Sequence, residues 1–119
     1  MFDHISLGVS DMPRSGKFYD AALKPLGYTR LSDGESSVGY GAKHPKLWIG
    51  PAKKPVKPDM ESGLHFCFVA PDRKAVDAFY AAALKAGGKP GLRAEYTPPY
   101  YAAFVIDPDG YRIEAYCGK

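Results

Sequence analysis

Asp107-Pro108-Asp109-Gly110-Tyr111-Arg112-Ile113-Glu114 is the stretch that decides how this chain is read. Asp-Pro-Asp-Gly is a tight-turn signal: Pro fixes φ, the first Asp caps the turn, and Gly takes the position that needs a positive φ. β-type runs flank it, Tyr101 to Ile106 before and Tyr111 to Cys117 after, so a hairpin is expected. In the second arm Arg112, Glu114 and Tyr116 share one face, and Ile113, Ala115 and Cys117 share the other. A carboxylate in such a run is costly to bury unless something pairs with it.

Working outward, the hairpin closes the second of two similar halves. His4-Ile5-Ser6-Leu7-Gly8-Val9 alternates with period two, with Ile5, Leu7 and Val9 as its apolar face. Ser10-Asp11 offers a helix cap, Pro13 suits the first turn, and Phe18, Tyr19, Ala22, Leu23 and Leu26 follow at helical spacing until Gly27. Three short strands are expected next, at Tyr28–Leu31, Val38–Gly41 and Leu47–Ile49. The pattern then restarts with a strand over Leu64–Ala70 and a cap at Pro71-Asp72. A helical stripe of Val76, Phe79, Tyr80, Ala83 and Leu84 follows, then a strand over Leu92–Tyr96 and a Thr97-Pro98-Pro99 break. His65 follows His4 at an offset of 65 − 4 = 61, and the same offset pairs Phe18-Tyr19 with Phe79-Tyr80 and Gly27 with Gly88. Each half reads β-α-β-β-β and is too small to bury both faces of its sheet. One α+β domain over 1–119 is therefore expected: module one at 1–50, a Pro- and Lys-rich linker at 51–62, and module two at 63–119.

The bulk numbers exclude several classes. Of 119 residues, 45% are hydrophobic and 24% charged, ordinary values for one globular domain. The net charge of +3, with no Lys/Arg cluster interleaved with aromatics, argues against nucleic acid as a partner. Two cysteines are too few for a disulfide framework. No apolar run reaches membrane-spanning length and Met1 to His4 shows no leader pattern, so a cytoplasmic protein is the default and no membrane partner is expected.

Strand parity points to chemistry. His4, His65 and Glu114 all lie opposite the faces that the helices should cover. Two imidazoles and a carboxylate with open positions beside them form a facial triad for a divalent metal such as Fe, Mn or Zn. Each residue also has an ordinary alternative. His4 would be a polar residue near the N-terminus, His65 would bond backbone at a strand end, and Glu114 would pair with Arg112 or Lys46.

These residues resemble the vicinal oxygen chelate superfamily, which includes glyoxalase I, bleomycin-resistance proteins, fosfomycin-resistance enzymes and extradiol dioxygenases. The resemblance spans the chain. It is carried by His4 to Val9 with Phe18-Tyr19, by His65 with Phe79-Tyr80, and by Asp107-Pro108-Asp109-Gly110 followed by Ile113-Glu114. It implies two βαβββ modules whose sheets form a cup-like open barrel around a small-molecule pocket. It also implies metal ligation by His4, His65 and Glu114, with Fe, Mn, Zn or Ni as the ion, and a homodimer whose modules pair within or across chains. The implied activity is a metal-dependent lyase, isomerase or dioxygenase acting on an oxygen-rich small molecule. The alternative is a binding or sequestration protein of the bleomycin-resistance type, without catalysis. Glyoxalase I-like members take a fourth ligand where this chain has Trp48, whose indole cannot ligate, so lactoylglutathione lyase activity is not expected. Trp48, Tyr40, Cys67, Tyr100 and Tyr101 are the expected pocket residues, with ordinary aromatic packing as the competing role for the rings.

Overall fold

The computed structural model describes residues 1–95 and 100–118. The Asp107 turn closes as its residues dictate. Asp107 Oδ1 accepts from the backbone N–H groups of Asp109 at 2.9 Å and Tyr111 at 2.8 Å, and Gly110 adopts φ +98°. Its two arms pair antiparallel, with Ile106 opposite Arg112 and Phe104 opposite Glu114.

The first module runs β1 (Ile5–Val9), α1 (Met12–Leu23), β2 (Thr29–Asp33), β3 (Val38–Gly41) and β4 (Leu47–Pro51). The second runs β5 (Phe66–Val69), α2 (Arg73–Lys85), β6 (Lys89–Glu95), β7 (Tyr101–Ile106) and β8 (Arg112–Cys117). Each module is a four-stranded sheet, ordered β1-β4-β3-β2 and β5-β8-β7-β6, with its first and last strands parallel neighbours. This is the α+β arrangement of two βαβββ repeats expected from the sequence. The strand read as Leu64–Ala70 is shorter, because Gly63, at φ +78°, ends a 3-10 turn over Met60–Ser62 and leaves Leu64 and His65 in the connection. The expected Thr97-Pro98-Pro99 break and the end of the Leu92–Tyr96 strand at Tyr96 lie outside the described residues.

Both helices start where capping chemistry places them. Asp11 accepts from Arg14 N–H and Asp72 from Ala75 N–H. The apolar stripe of α1 then buries Phe18, Tyr19, Ala22 and Leu23 to within 1% of complete burial, and α2 buries Val76, Phe79 and Ala83 entirely. Together with Leu7, Val9, Leu47, Ile49, Val105 and Ile113 they form one core that continues through both modules. Burial of each large side chain stabilises by roughly 1.5–3 kcal/mol.

The modules dock by contact of α1 with α2 and by polar ties at their corners. Tyr28 Oη donates to the Val69 carbonyl at 2.7 Å, and Tyr111 Oη donates to the Gly8 carbonyl at 2.8 Å. Gly8 and Val69 occupy equivalent places in the repeat, so each module's first strand receives one tyrosine from the other module. Asp109 adds a third tie, accepting from Ser10 Oγ and N–H and from Arg14. With the helices and these ties holding the modules side by side, the helix-free face of each sheet remains open.

Candidate functional site

The open face of the second sheet gathers the expected donors. Parallel pairing of β5 with β8, and antiparallel pairing of β8 with β7, puts Cys67, Glu114 and Phe104 in one row. Glu114 is central in that row and only 8% exposed. Its Oε1 lies 3.1 Å from His65 Nε2. It therefore pairs with the histidine.

The other ring nitrogen fixes what that contact means. His65 Nδ1 sits 2.9 Å from the Gly63 carbonyl oxygen, which only accepts, so Nδ1 carries the proton. In a neutral ring Nε2 then presents a lone pair to the carboxylate. The two acceptors are satisfied only when a proton or a cation lies between them. A backbone carbonyl that sets the tautomer of a ligating histidine is the usual outer-sphere arrangement of metal sites. The His65 ring also meets Phe104 edge-on, with centroids 5.1 Å apart, and Arg112 lies over the same phenyl ring at 5.7 Å. Gly63 and Phe104 were not legible as parts of the site. The signal available was the Gly at i−2 from His65 and the place of Phe104 opposite Glu114 in the hairpin.

Cys67 adjoins the pair as a donor. Its thiol is pushed up to about 12 by desolvation first, then by the Glu114 charge and a hydrogen bond to that carboxylate. It therefore stays protonated at neutral pH.

His4 lies at the entrance to the other sheet. It precedes β1, its side chain is about half exposed, and its Nδ1 lies 2.7 Å from Asp3 Oδ1. The hydrogen bond to His4, followed by the Lys46 charge, holds the Asp3 carboxyl below its ordinary value. The structure thus joins His65 to Glu114 and leaves His4 apart. Among the described residues no three His, Cys, Asp or Glu side chains gather in a metal-holding geometry. Two of the donors fit a divalent ion by chemistry and by the fixed tautomer, and the chain by itself presents them as an incomplete set.

The expected pocket residues divide by face. Trp48 is half-buried on the open face of the first sheet. There it pairs with Ser6 and lies across Gly39, where a Cβ would come within 2.9 Å of the indole. Tyr100 stacks on Tyr116 at 5.8 Å and stays 44% exposed. Tyr40 and Tyr101 turn the other way. Tyr40 is buried under α1, where its hydroxyl reaches the Gly16 carbonyl and Asp20. Tyr101 donates to Asp77 of α2, with the Arg73 guanidinium over its ring. Both face the helices, and Tyr40 also lines a crevice between the modules together with Cys67.

Comparison with known proteins agrees with this architecture. The family model described as Glyoxalase/Bleomycin resistance protein/Dioxygenase superfamily matches residues 1–115. An uncharacterized protein of Bacillus subtilis strain 168, YqjT, is 32% identical over 121 aligned positions, covering 93% of this chain and 94% of that protein. A solved glyoxalase/bleomycin resistance protein from Albidiferax ferrireducens T118 is 31% identical, covers 98% of both chains, and superposes with a TM-score of 0.84. The fosfomycin resistance protein FosX of Listeria monocytogenes shares the fold at a TM-score of 0.76 and 13% identity, with 100% of this chain and 93% of that one covered.

Proposed function

The chain belongs to the glyoxalase/bleomycin resistance protein/dioxygenase superfamily, and from that premise we propose that it is a divalent-metal-dependent enzyme acting on an oxygen-rich small molecule. The observation that carries the proposal is the apposition of His65 Nε2 and Glu114 Oε1 at 3.1 Å, with Nδ1 already committed to a backbone carbonyl. In this proposal His65 and Glu114 hold the ion, and His4 of a second copy completes the set in a homodimer. The support for a second copy is that both sheet faces stay open and that no three donors gather among the described residues of one chain. Phe2, Leu64 and Val69 also remain exposed by 79%, 52% and 64%.

When bound, such an ion supplies Lewis-acid stabilisation of charge on a substrate oxygen. The chain's own residues do the rest. The Glu114 carboxylate offsets the ion's charge in a setting where an unpaired carboxylate would be costly. The Gly63 carbonyl keeps His65 Nε2 free to ligate, and Phe104 packs against the ring and restricts its rotation. Trp48 shapes the opposite wall and, as an N–H donor only, neither ligates nor takes a proton. That is why lactoylglutathione lyase chemistry is not proposed. No described helix is long and apolar enough to cross a membrane, and a cytoplasmic location is part of the proposal.

A screen of small α-hydroxy, α-keto and catechol compounds, run with and without chelator, separates catalysis from sequestration. Turnover that stops with EDTA and returns with added ion is the expected result. Tight binding without turnover, unaffected by chelator, would instead favour a binding protein of the bleomycin-resistance type.

A further inference from the structure

Where the two modules meet, next to the His65 and Glu114 pair and reaching it through Cys67, there is a half-open crevice of about 180 Å³. Its base is made by Leu23 and Leu47, which are 1% and 2% exposed. Tyr28 from the first module and Phe68 from the second line it with their rings 6.5 Å apart and tilted by 52°. Tyr28 is tied to Val69 by its hydroxyl, so the crevice is held open by the same bond that docks the modules. Burial raises the Tyr28 hydroxyl above its ordinary range, in keeping with dry walls.

The mouth has a different character. Lys46 lines the crevice, and a neighbouring depression that shares Tyr28 and Lys46 is bordered by Lys43 and His44. The acidic group coupled to this cluster is Asp3, which feels both Lys46 and His44 and is itself hydrogen-bonded to His4. An apolar slot with a cationic rim matches a particular ligand chemistry. A neutral hydrocarbon would leave the rim unused, and a bare anion would leave the walls wet. An apolar cavity of roughly 150 Å³ accommodates one benzene ring.

We propose that this crevice binds a small amphipathic carboxylate, with one aromatic ring or a short alkyl chain between Tyr28 and Phe68 and its carboxylate at Lys46. The crevice adjoins the proposed metal site through Cys67, and the EDTA arm of the test separates the two, since binding without an ion keeps this site even if the metal reading fails.

Benzoate titrated into the full chain in the presence of EDTA is the test, followed by the methyl NMR signals of Leu23, Leu47 and Val69. Saturable shifts of these methyls with a dissociation constant of about 1 mM are expected for a ligand of this size. Benzyl alcohol should bind about threefold more weakly, the worth of one exposed ion pair. Lys46→Gln should weaken benzoate by about the same factor and leave benzyl alcohol unchanged. Val69→Trp, a β-compatible change at the exposed rim, should block both ligands. The proposal would be overturned by no saturable shift of these methyls in the wild-type chain, by benzoate affinity unchanged in folded Val69→Trp, or by benzoate binding that appears only when EDTA is replaced by a divalent ion. A dimer that dissociates on Val69→Trp would also overturn it, by assigning the crevice to contact between copies.

Discussion

Asp107 is a buried carboxyl that serves two modules at once. One oxygen closes the β7–β8 turn through two backbone N–H groups, and the other accepts from Tyr19 Oη of α1 at 2.6 Å. Desolvation raises its pKa, and the Tyr19 and backbone hydrogen bonds oppose the rise without cancelling it. A carboxyl whose folded pKa is raised binds protons more readily in the native state. Its contribution is most favourable below the unfolded value near 3.8 and is lost as pH rises through the folded pKa. Tyr19→Phe removes one of the opposing bonds and should push the Asp107 carboxyl higher still. We expect a loss of about 1.5–3 kcal/mol at about pH 7, as for a hydrogen bond to a charged group, and a smaller loss at about pH 4. Urea unfolding of both proteins at the two pH values checks this; equal losses at both would refute the coupling. The same stretch showed its turn chemistry openly, because Asp, Pro and Gly act locally. The Tyr19 partner, 88 positions away, was not legible, because nothing local selects it.

At the scale of elements, the β3–β4 connection is constrained by backbone rather than by side chains. A Cβ at Gly41 would stand 1.9 Å from the His44 carbonyl oxygen, so the loop closes only over glycine. Gly41→Ala should cost about 1–3 kcal/mol or more by forcing that backbone apart, read as a lower Tm in a thermal melt. A melt within error of wild type would contradict the contact. Val38 and Tyr40 share one face of β3 while Gly39 and Gly41 leave the other without side chains, so parity sets Tyr40 beside the buried Val38, a signal that the choice of an aromatic ring for the pocket passed over. Tyr101 was obscured, since β7 is apolar on both faces and alternation has nothing to alternate. By contrast β1, with Leu7 and Val9 buried and Ser6 exposed, was read on the correct face, and so was β8 with Glu114. Helix starts were legible because Asp11 and Asp72 cap them with their own side chains.

At the scale of the whole molecule, the repeat announced the architecture, while the relation between modules decides the site. Among the described residues His65 meets Glu114 while His4 pairs with Asp3, and the three donors do not gather into one cluster, a relation between modules that strand parity does not fix. If a second copy supplies His4, two inactive variants should rescue one another. Mixing His4→Ala with Glu114→Gln should form heterodimers with one intact site each, and metal uptake should return in the mixture although neither protein alone has it. A mixture as inert as its parts, despite exchange of subunits, would place all three donors in one chain. The most direct measurement is metal stoichiometry of the untagged protein by elemental mass spectrometry, with Glu114→Gln prepared alongside and its fold verified by circular dichroism. One equivalent of Fe, Mn, Zn or Ni per chain, lost in a folded Glu114→Gln, is the predicted result. No ion in the wild type even after titration, or equal content in the variant, would contradict a metal centre at His65 and Glu114.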